Sequence, residues 1–236
     1  MFVRNNHVIA TEGNVIEIPD VLDGQTIIGI GNYAFSTAGK IAELILPSTL
    51  QTIGNGVFEG HALTSLDIPA GVTSIGYRAF YGNALSSINL PSGLKTIEGS
   101  AFENNQLQSV TLPDGIISIG YNAFQNNKIT SITIPNTLEF LGSSAFESNN
   151  ISTLNFQTGC QLKEIQPWCF SNNNIQNLSI PNSVLIIGDY AFRSNNSLSN
   201  VTFGANLLKI KRGAFNSCNL SSVNLPGSLV FLGRYA

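Results

Sequence analysis

Hydrophobic and polar positions in this chain follow a long, regular beat. In Leu85-Ser-Ser-Ile-Asn-Leu-Pro91 the apolar residues Ile88 and Leu90 alternate with the polar Ser87 and Asn89, the period-two pattern of a strand with one face buried. Proline closes the segment, the apolar pair Leu94 and Ile97 follows, and then come Ala101-Phe102 and Asn105. The same order returns along the chain. Phe35, Phe58, Phe80, Phe102, Phe124, Phe146, Phe170, Phe192 and Phe215 lie 22 to 24 residues apart. A unit of this size cannot bury its apolar face alone, so neighbouring units must stack around one continuous core.

This pattern predicts an α/β solenoid, a superhelix with one parallel strand per coil of about 22 residues and strands about 4.8 Å apart. The stretch Gly-x-x-Ala-Phe-x-x-Asn is too short for more than a turn or a piece of 3₁₀ helix on the other side. One solenoid domain is expected over residues 1–236: an irregular first coil at 1–38, eight repeats over 39–217, and a partial repeat at 218–236 that reads as truncated. Eight of the nine prolines, Pro19, Pro47, Pro69, Pro91, Pro113, Pro135, Pro181 and Pro226, occupy the slot after the strand, where a residue without an N–H ends the ladder. Gln157 and Gly204 replace proline in two irregular units.

Gly54, Gly76, Gly120, Gly142 and Gly188 share a corner that Glu98, Gln166 and Lys211 occupy in other coils. A positive φ is therefore not expected there, and a close-packed corner is. Three residues after the phenylalanines runs a polar column, His61, Asn83, Asn105, Asn127, Asn149, Asn173, Asn195 and Cys218. An amide carries donors and an acceptor, so a buried asparagine can satisfy the backbone of two coils.

The motif L-x-x-[IVL]-x-[IL]-P followed by I-G-x-x-A-F-x-x-N, matched nearly end to end, resembles the BspA-type leucine-rich repeat of bacterial surface and secreted proteins and of some protists. The resemblance implies adhesion or host-protein binding through an extended surface, and it brings no catalytic residues with it. It also implies a cell-surface or secreted location, with the leader absent from this chain; a cytoplasmic location, as an interaction scaffold or a host-directed effector, is the alternative. The expected partner is a protein or glycan, including host matrix or surface proteins, and an end-to-end contact through an uncapped C-terminal end is a further reading.

Charge sharpens what is excluded. Charged residues make up 11% of the chain and the net charge is -3, with eleven basic residues spread along it. No nucleic-acid partner is expected, because phosphates call for clustered Lys and Arg; Lys209, Lys211 and Arg212 read as a solvated turn. No apolar run reaches the length of a membrane span. Only His7 and His61 supply imidazole, 54 residues apart, so no nucleophile has an evident base, and no enzyme activity, cofactor or metal is expected. Of three cysteines, Cys169 and Cys218 read as small core residues, while Cys160, in the insertion at 158–160, is expected to be accessible, with a bridge to Cys169 left open.

Two surfaces remain as candidates. The outward strand positions Ser87, Asn89, Ser109, Thr111, Ser131, Thr133, Thr153, Asn155, Asn177 and Ser179 form columns of short hydrogen-bonding side chains. They suit either a polar polymer or extended peptide held by many weak contacts, or simply a soluble sheet face. Aromatic residues beside the Ala-Phe pairs, Tyr77, Tyr121, Trp168 and Tyr190, define the second candidate, an edge of interface anchors or of coil-covering packing. Trp168, next to Pro167 and the insertion, marks the least regular coil.

Overall fold

The structure, a computed structural model, describes residues 2–3, 9–10 and 14–236. The coils stack as expected, with every phenylalanine of the repeat inside. Phe35 to Phe192 are at most 1% exposed and Phe215 is 8% exposed. Successive rings lie near-parallel, 5.0–5.7 Å between centroids and 1–16° between planes. Small residues before each ring, Ala101, Ala123 or Cys169 for example, are fully buried and let the coils close on one another.

The helical half of the expected α/β solenoid is corrected: no helix, α or 3₁₀, occurs among the described residues. The reason lies in two columns of left-handed backbone, two residues before and two residues after the phenylalanine. Ser100, Asn122 and Trp168 in the first, and Asn104, Asn126 and Asn172 in the second, have φ between 54° and 61°. A left-handed residue interrupts any right-handed helix. The chain instead makes tandem β-turns: the Ala101 N–H bonds to the Glu98 carbonyl and the Glu103 N–H to Ser100, at 3.4 and 3.2 Å. The N–H groups between them, on Ser100, Phe102 and Asn104, point at the next coil and bond to Tyr121, Ala123 and Gln125 at 2.8–3.0 Å.

One strand column per coil is also revised. The longest ladder runs through Thr52–Ile53, Ser74–Ile75, Thr96–Ile97, Ser118–Ile119 and Phe140–Leu141 within a seven-stranded sheet. It resumes beyond the insertion as a four-stranded sheet, Glu164–Ile165 to Phe231–Leu232. The column expected to form the sheet pairs only in segments. Val15–Glu17 lies on Glu43–Ile45, Ser131–Ile134 on Thr153–Phe156, and Asn177–Ser179 on Asn200–Thr202, all parallel. Between them only Asp67 and Asn89 form a bridge. Proline accounts for part of this, since it withholds one N–H from the ladder in each coil. Where Gln157 replaces it, its N–H reaches the Ile134 carbonyl at 2.9 Å, and the strands there are the longest among the described residues, four residues each.

The corner glycines fit the close-packing expectation. None of Gly54, Gly76, Gly120, Gly142 or Gly188 has positive φ, and a Cβ on each would stand 2.4–2.7 Å from atoms of the preceding coil. Such contacts are too short for any other residue unless the coils part.

The asparagine column is a ladder between coils. Asn127 donates through Nδ2 to the carbonyls of Phe102 at 2.9 Å and Phe124 at 3.1 Å, while its Oδ1 accepts the Leu107 N–H at 3.0 Å. Asn83, Asn105, Asn149, Asn173 and Asn195 repeat this geometry. Cys218 continues it with a thiol on the Phe192 carbonyl at 3.3 Å, and burial pushes that thiol up to about 11. The accessibility expected for Cys160 is corrected: it is buried in the core, 6% exposed, and neither it, Cys169 nor Cys218 forms a disulfide. The insertion turns its Cys side chain inward because Thr158 and Gly159 take the exposed positions of the loop.

His61 is the imperfect rung. Its Nδ1 accepts the Ile41 N–H at 3.4 Å, but its buried Nε2 has no partner. Burial, with Lys40 nearby, holds the imidazole below its ordinary value of 6.5. The native state therefore keeps it neutral, the unfolded chain takes the proton first, and stability present above pH 6.5 is lost as the pH falls below it.

Two outcomes follow from this packing. Phe124→Ala is expected to cost about 3 to 5 kcal/mol, because the rings on either side hold the cavity open; an unchanged urea midpoint would place the ring outside the core. His61→Asn, which replaces the unpartnered Nε2–H with an amide that can donate to two carbonyls as in the other coils, is expected to stabilise the fold by about 1 kcal/mol and to flatten the decline in stability between pH 7.5 and 5. Parallel slopes for the two proteins in urea titrations over that range would rule out His61 as the source.

Candidate binding surfaces

All ten outward positions of the strand column, Ser87 through Ser179, are exposed. Their surroundings differ along the stack. Where the ladder lapses, the segments Ser87–Leu90 and Ser109–Leu112 enclose a cleft of about 510 Å³. A second cleft, about 250 Å³, lies between Thr111, Ser131 and Thr133. Gln157 spans it, accepting the Asn136 N–H at 3.0 Å and donating to Asp114 at 3.0 Å across 43 residues of sequence. Further along, Asn177 and Asn200 spend part of their polarity on each other at 3.0 Å. The same two columns of small polar residues are thus grooved between Ser87 and Thr133 and, beyond them, paired where Asn177–Ser179 lies on Asn200–Thr202.

The aromatic edge divides into two clusters. Tyr77 and Tyr121, two coils apart, meet over the intervening coil with centroids 6.1 Å apart. They meet there because Gly99, between them, has no side chain: its Cβ position is 2.9 Å from the Tyr121 ring. Burial and the neighbouring Tyr121 raise the Tyr77 phenol above its ordinary value. Trp168 and Tyr190, in adjacent coils, stack at 4.4 Å. Tyr190 then lies across Gly213, whose Cβ would meet its ring at 2.4 Å. Trp168 and Tyr190 both adopt left-handed backbone, φ 61° and 56°, a conformation that costs a bulky residue about 1 to 3 kcal/mol. Arg193 sits 5.5 Å from the Trp168 ring and 5.8 Å from Tyr190, and Arg212 5.6 Å from Tyr190, within cation–π range.

Two concave features had no counterpart in the sequence reading. A notch of about 1060 Å³ lies along Gly54 and Gly76, walled by Tyr33, Asn55, Tyr77 and Glu98. The signal was present in the paired corner glycines followed one coil later by Glu98. A smaller cleft, about 340 Å³, lies beside Lys209, Arg212 and Arg234, where the basic residues had read as a solvated turn.

As for chemistry, no group of three His, Cys, Asp or Glu suited to a metal occurs among the described residues, and no helix among them is long and apolar enough to cross a membrane. His7 lies outside the described residues. His61 is buried in the asparagine column rather than in a cleft.

The architecture has solved counterparts. The pneumococcal vaccine antigen PcpA superposes with a TM-score of 0.67 at 22% identity, covering 97% of this chain and 70% of that one. A leucine-rich repeat protein from Eubacterium ventriosum gives 0.69 at 18% identity, covering 96% and 65% respectively. The chain therefore spans about two thirds of the length of these structures, and likeness at such identity speaks to the fold. No curated protein sequence matches the chain significantly. The sequence profile described as "BspA type Leucine rich repeat region" matches residues 16–130 and 117–236 in six copies. With its stacked phenylalanines and inter-coil asparagines in that register, the chain belongs to the BspA-type leucine-rich repeat family.

Proposed function

We propose that residues 1–236 form one solenoid domain that acts as a non-catalytic, adhesin-like recognition module of a cell-surface or secreted protein, binding a protein or glycan along its grooved strand face. The observation that carries this reading is the combination of exposed Ser, Thr and Asn columns with clefts between coils at Ser87–Leu90, Ser109–Leu112 and Ser131–Thr133. Hydroxyl and amide groups repeated at the coil spacing suit an extended ligand whose own polar groups repeat, with many weak contacts adding along its length. The likeness to a vaccine antigen supports a surface location by analogy.

A second reading, an intracellular scaffold or host-directed effector, is favoured by the three unpaired thiols. That observation weighs little between compartments, because Cys160 and Cys169 are buried and a buried thiol is shielded from oxidation wherever the protein resides.

Replacing Ser109, Thr111, Ser131 and Thr133 together by Glu fills both clefts without adding a cation. Binding to a panel of immobilised matrix proteins and neutral glycans is expected to fall at least about tenfold for any true ligand, the loss of a few weak polar contacts, with the thermal midpoint showing that the fold survives. Retained binding by a folded variant would reject the strand face as the site.

A further inference from the structure

The charge of this chain is divided along its axis. Five of its eleven basic residues, Arg193, Lys209, Lys211, Arg212 and Arg234, follow Asp189, and none of its fourteen acidic residues does. Residues 190–236 therefore carry +5 and residues 1–189 carry -8. The fold gathers these cations onto one edge. Arg193 and Arg212 flank the Trp168–Tyr190 stack, and Arg212 continues into the cleft shared with Lys209, Lys211 and Arg234. Among the described residues, Lys211 alone of the five has a carboxylate partner, Glu164 at 3.0 Å. The other acid at this edge, Asp189, takes the backbone N–H of Arg212 at 3.0 Å. An excess of cations on one edge of a chain with net charge -3 produces a local field that favours anions.

We propose that this edge, Arg193, Lys209, Arg212 and Arg234 around the Trp168–Tyr190 stack, binds an anionic polysaccharide through its sulfate or carboxylate groups. The register of the solenoid argues for a polymer with repeating charge. Arg212 and Arg234 hold the same slot in consecutive coils, their backbones paired through Lys209–Ile210 and Phe231–Leu232, so two cations stand one strand rise of about 4.8 Å apart, the Arg234 guanidinium also donating to the Tyr235 hydroxyl at 2.6 Å. Guanidinium groups take sulfate or carboxylate oxygens in a two-pronged contact that Lys cannot make. The rings argue against single-stranded nucleic acid, which is held by bases stacked on open aromatic faces. Trp168 and Tyr190 face each other, and Tyr190 covers Gly213, so their faces are not open to bases and the guanidinium groups beside them are left as the recognition chemistry of this edge. The proposal rests on the chain being a binding module but not on the strand face being its site.

The test uses the 236-residue chain with dextran sulfate, neutral dextran, poly-dT and polyglutamate in titrations over a range of NaCl concentrations. Dextran sulfate is expected to bind and neutral dextran not to. Arg193→Gln with Arg212→Gln, which keeps the side-chain stems over the rings, is expected to weaken binding about tenfold and to lower the slope of log affinity against log salt by roughly 1.5 to 2. Lys95→Gln with Lys128→Gln removes the same charge from exposed mid-chain positions and is expected to change neither. Equal weakening by the two pairs, or no preference for dextran sulfate over dextran, overturns the proposal. Tighter binding of poly-dT or polyglutamate assigns the edge to nucleic acid or to an acidic protein instead. The strand-face variant is expected to bind dextran sulfate like the parent, so failure at one surface leaves the other reading intact.

Discussion

A coil without a helix has only its few turn hydrogen bonds, such as Ala101 N–H to Glu98 and Glu103 N–H to Ser100, so most of its other backbone donors find their acceptors one coil away. That constraint organises the molecule. The N–H groups of Ser100, Phe102 and Asn104 bond to the next coil, those of Gln106 and Gln108 to the preceding one, and the carbonyls of the phenylalanines are left to the asparagine amides. An unpaired buried amide costs about 1 to 3 kcal/mol, so the polar column is as much a part of the core as the rings are. The coils are interdependent for the same reason: each supplies acceptors for donors of its neighbours.

Much of this was legible because the inside of a repeat protein is written many times over. Phe35 to Phe215 and Asn83 to Asn195 recur at one spacing, and both columns lie where that spacing puts them. The corner glycines were legible by exception: Glu98, Gln166 and Lys211 in the same slot excluded a requirement for positive φ, and the structure shows crowding at Gly54 and Gly142 instead. The absence of helix was harder to see. The second left-handed column reads Gly60, Gly82, Asn104, Asn126, Ser148, Asn172, Ser194 and Ser217, a run of residues tolerant of that conformation. The first includes Tyr33, Arg78, Trp168 and Tyr190, which propensity places elsewhere. There the inter-coil hydrogen bonds override local preference.

The surfaces were legible as columns but not as shapes. Alternation places Ser109 and Thr111 outward, yet whether they flank a cleft or a closed ladder depends on the pairing of neighbouring strands, which alternation does not encode. The aromatic edge had the same blind spot. Tyr121 reaches back over Gly99 and Tyr190 forward over Gly213, so each ring is placed by a missing side chain one coil away. Pairs of this kind, Tyr33 with Gly56 and Tyr190 with Gly213, share one slot in consecutive coils, and that relation is readable once the left-handed column is known.

The insertion at 158–160 shows which interactions carry continuity and which can lapse. It interrupts the corner ladder between Phe140–Leu141 and Glu164–Ile165, yet Phe146 and Phe170 still stack at 5.7 Å and 1°, and Asn173 still donates to the Phe146 carbonyl at 2.9 Å. Rings and amides therefore stay continuous where the corner ladder lapses, alongside the Ser131–Ile134 and Thr153–Phe156 pairing that joins the same two coils. That division leaves the exterior free to vary at small cost to the core. The departures from the repeat gather at this point: Gln157 in place of proline, its reach to Asp114, the Trp168–Tyr190 stack, and the change in sign of the charge just beyond Asp189. In a molecule whose interior is repeated and interchangeable, such departures are where one coil presents chemistry that its neighbours do not, while the repeated polar columns present the same chemistry at every coil.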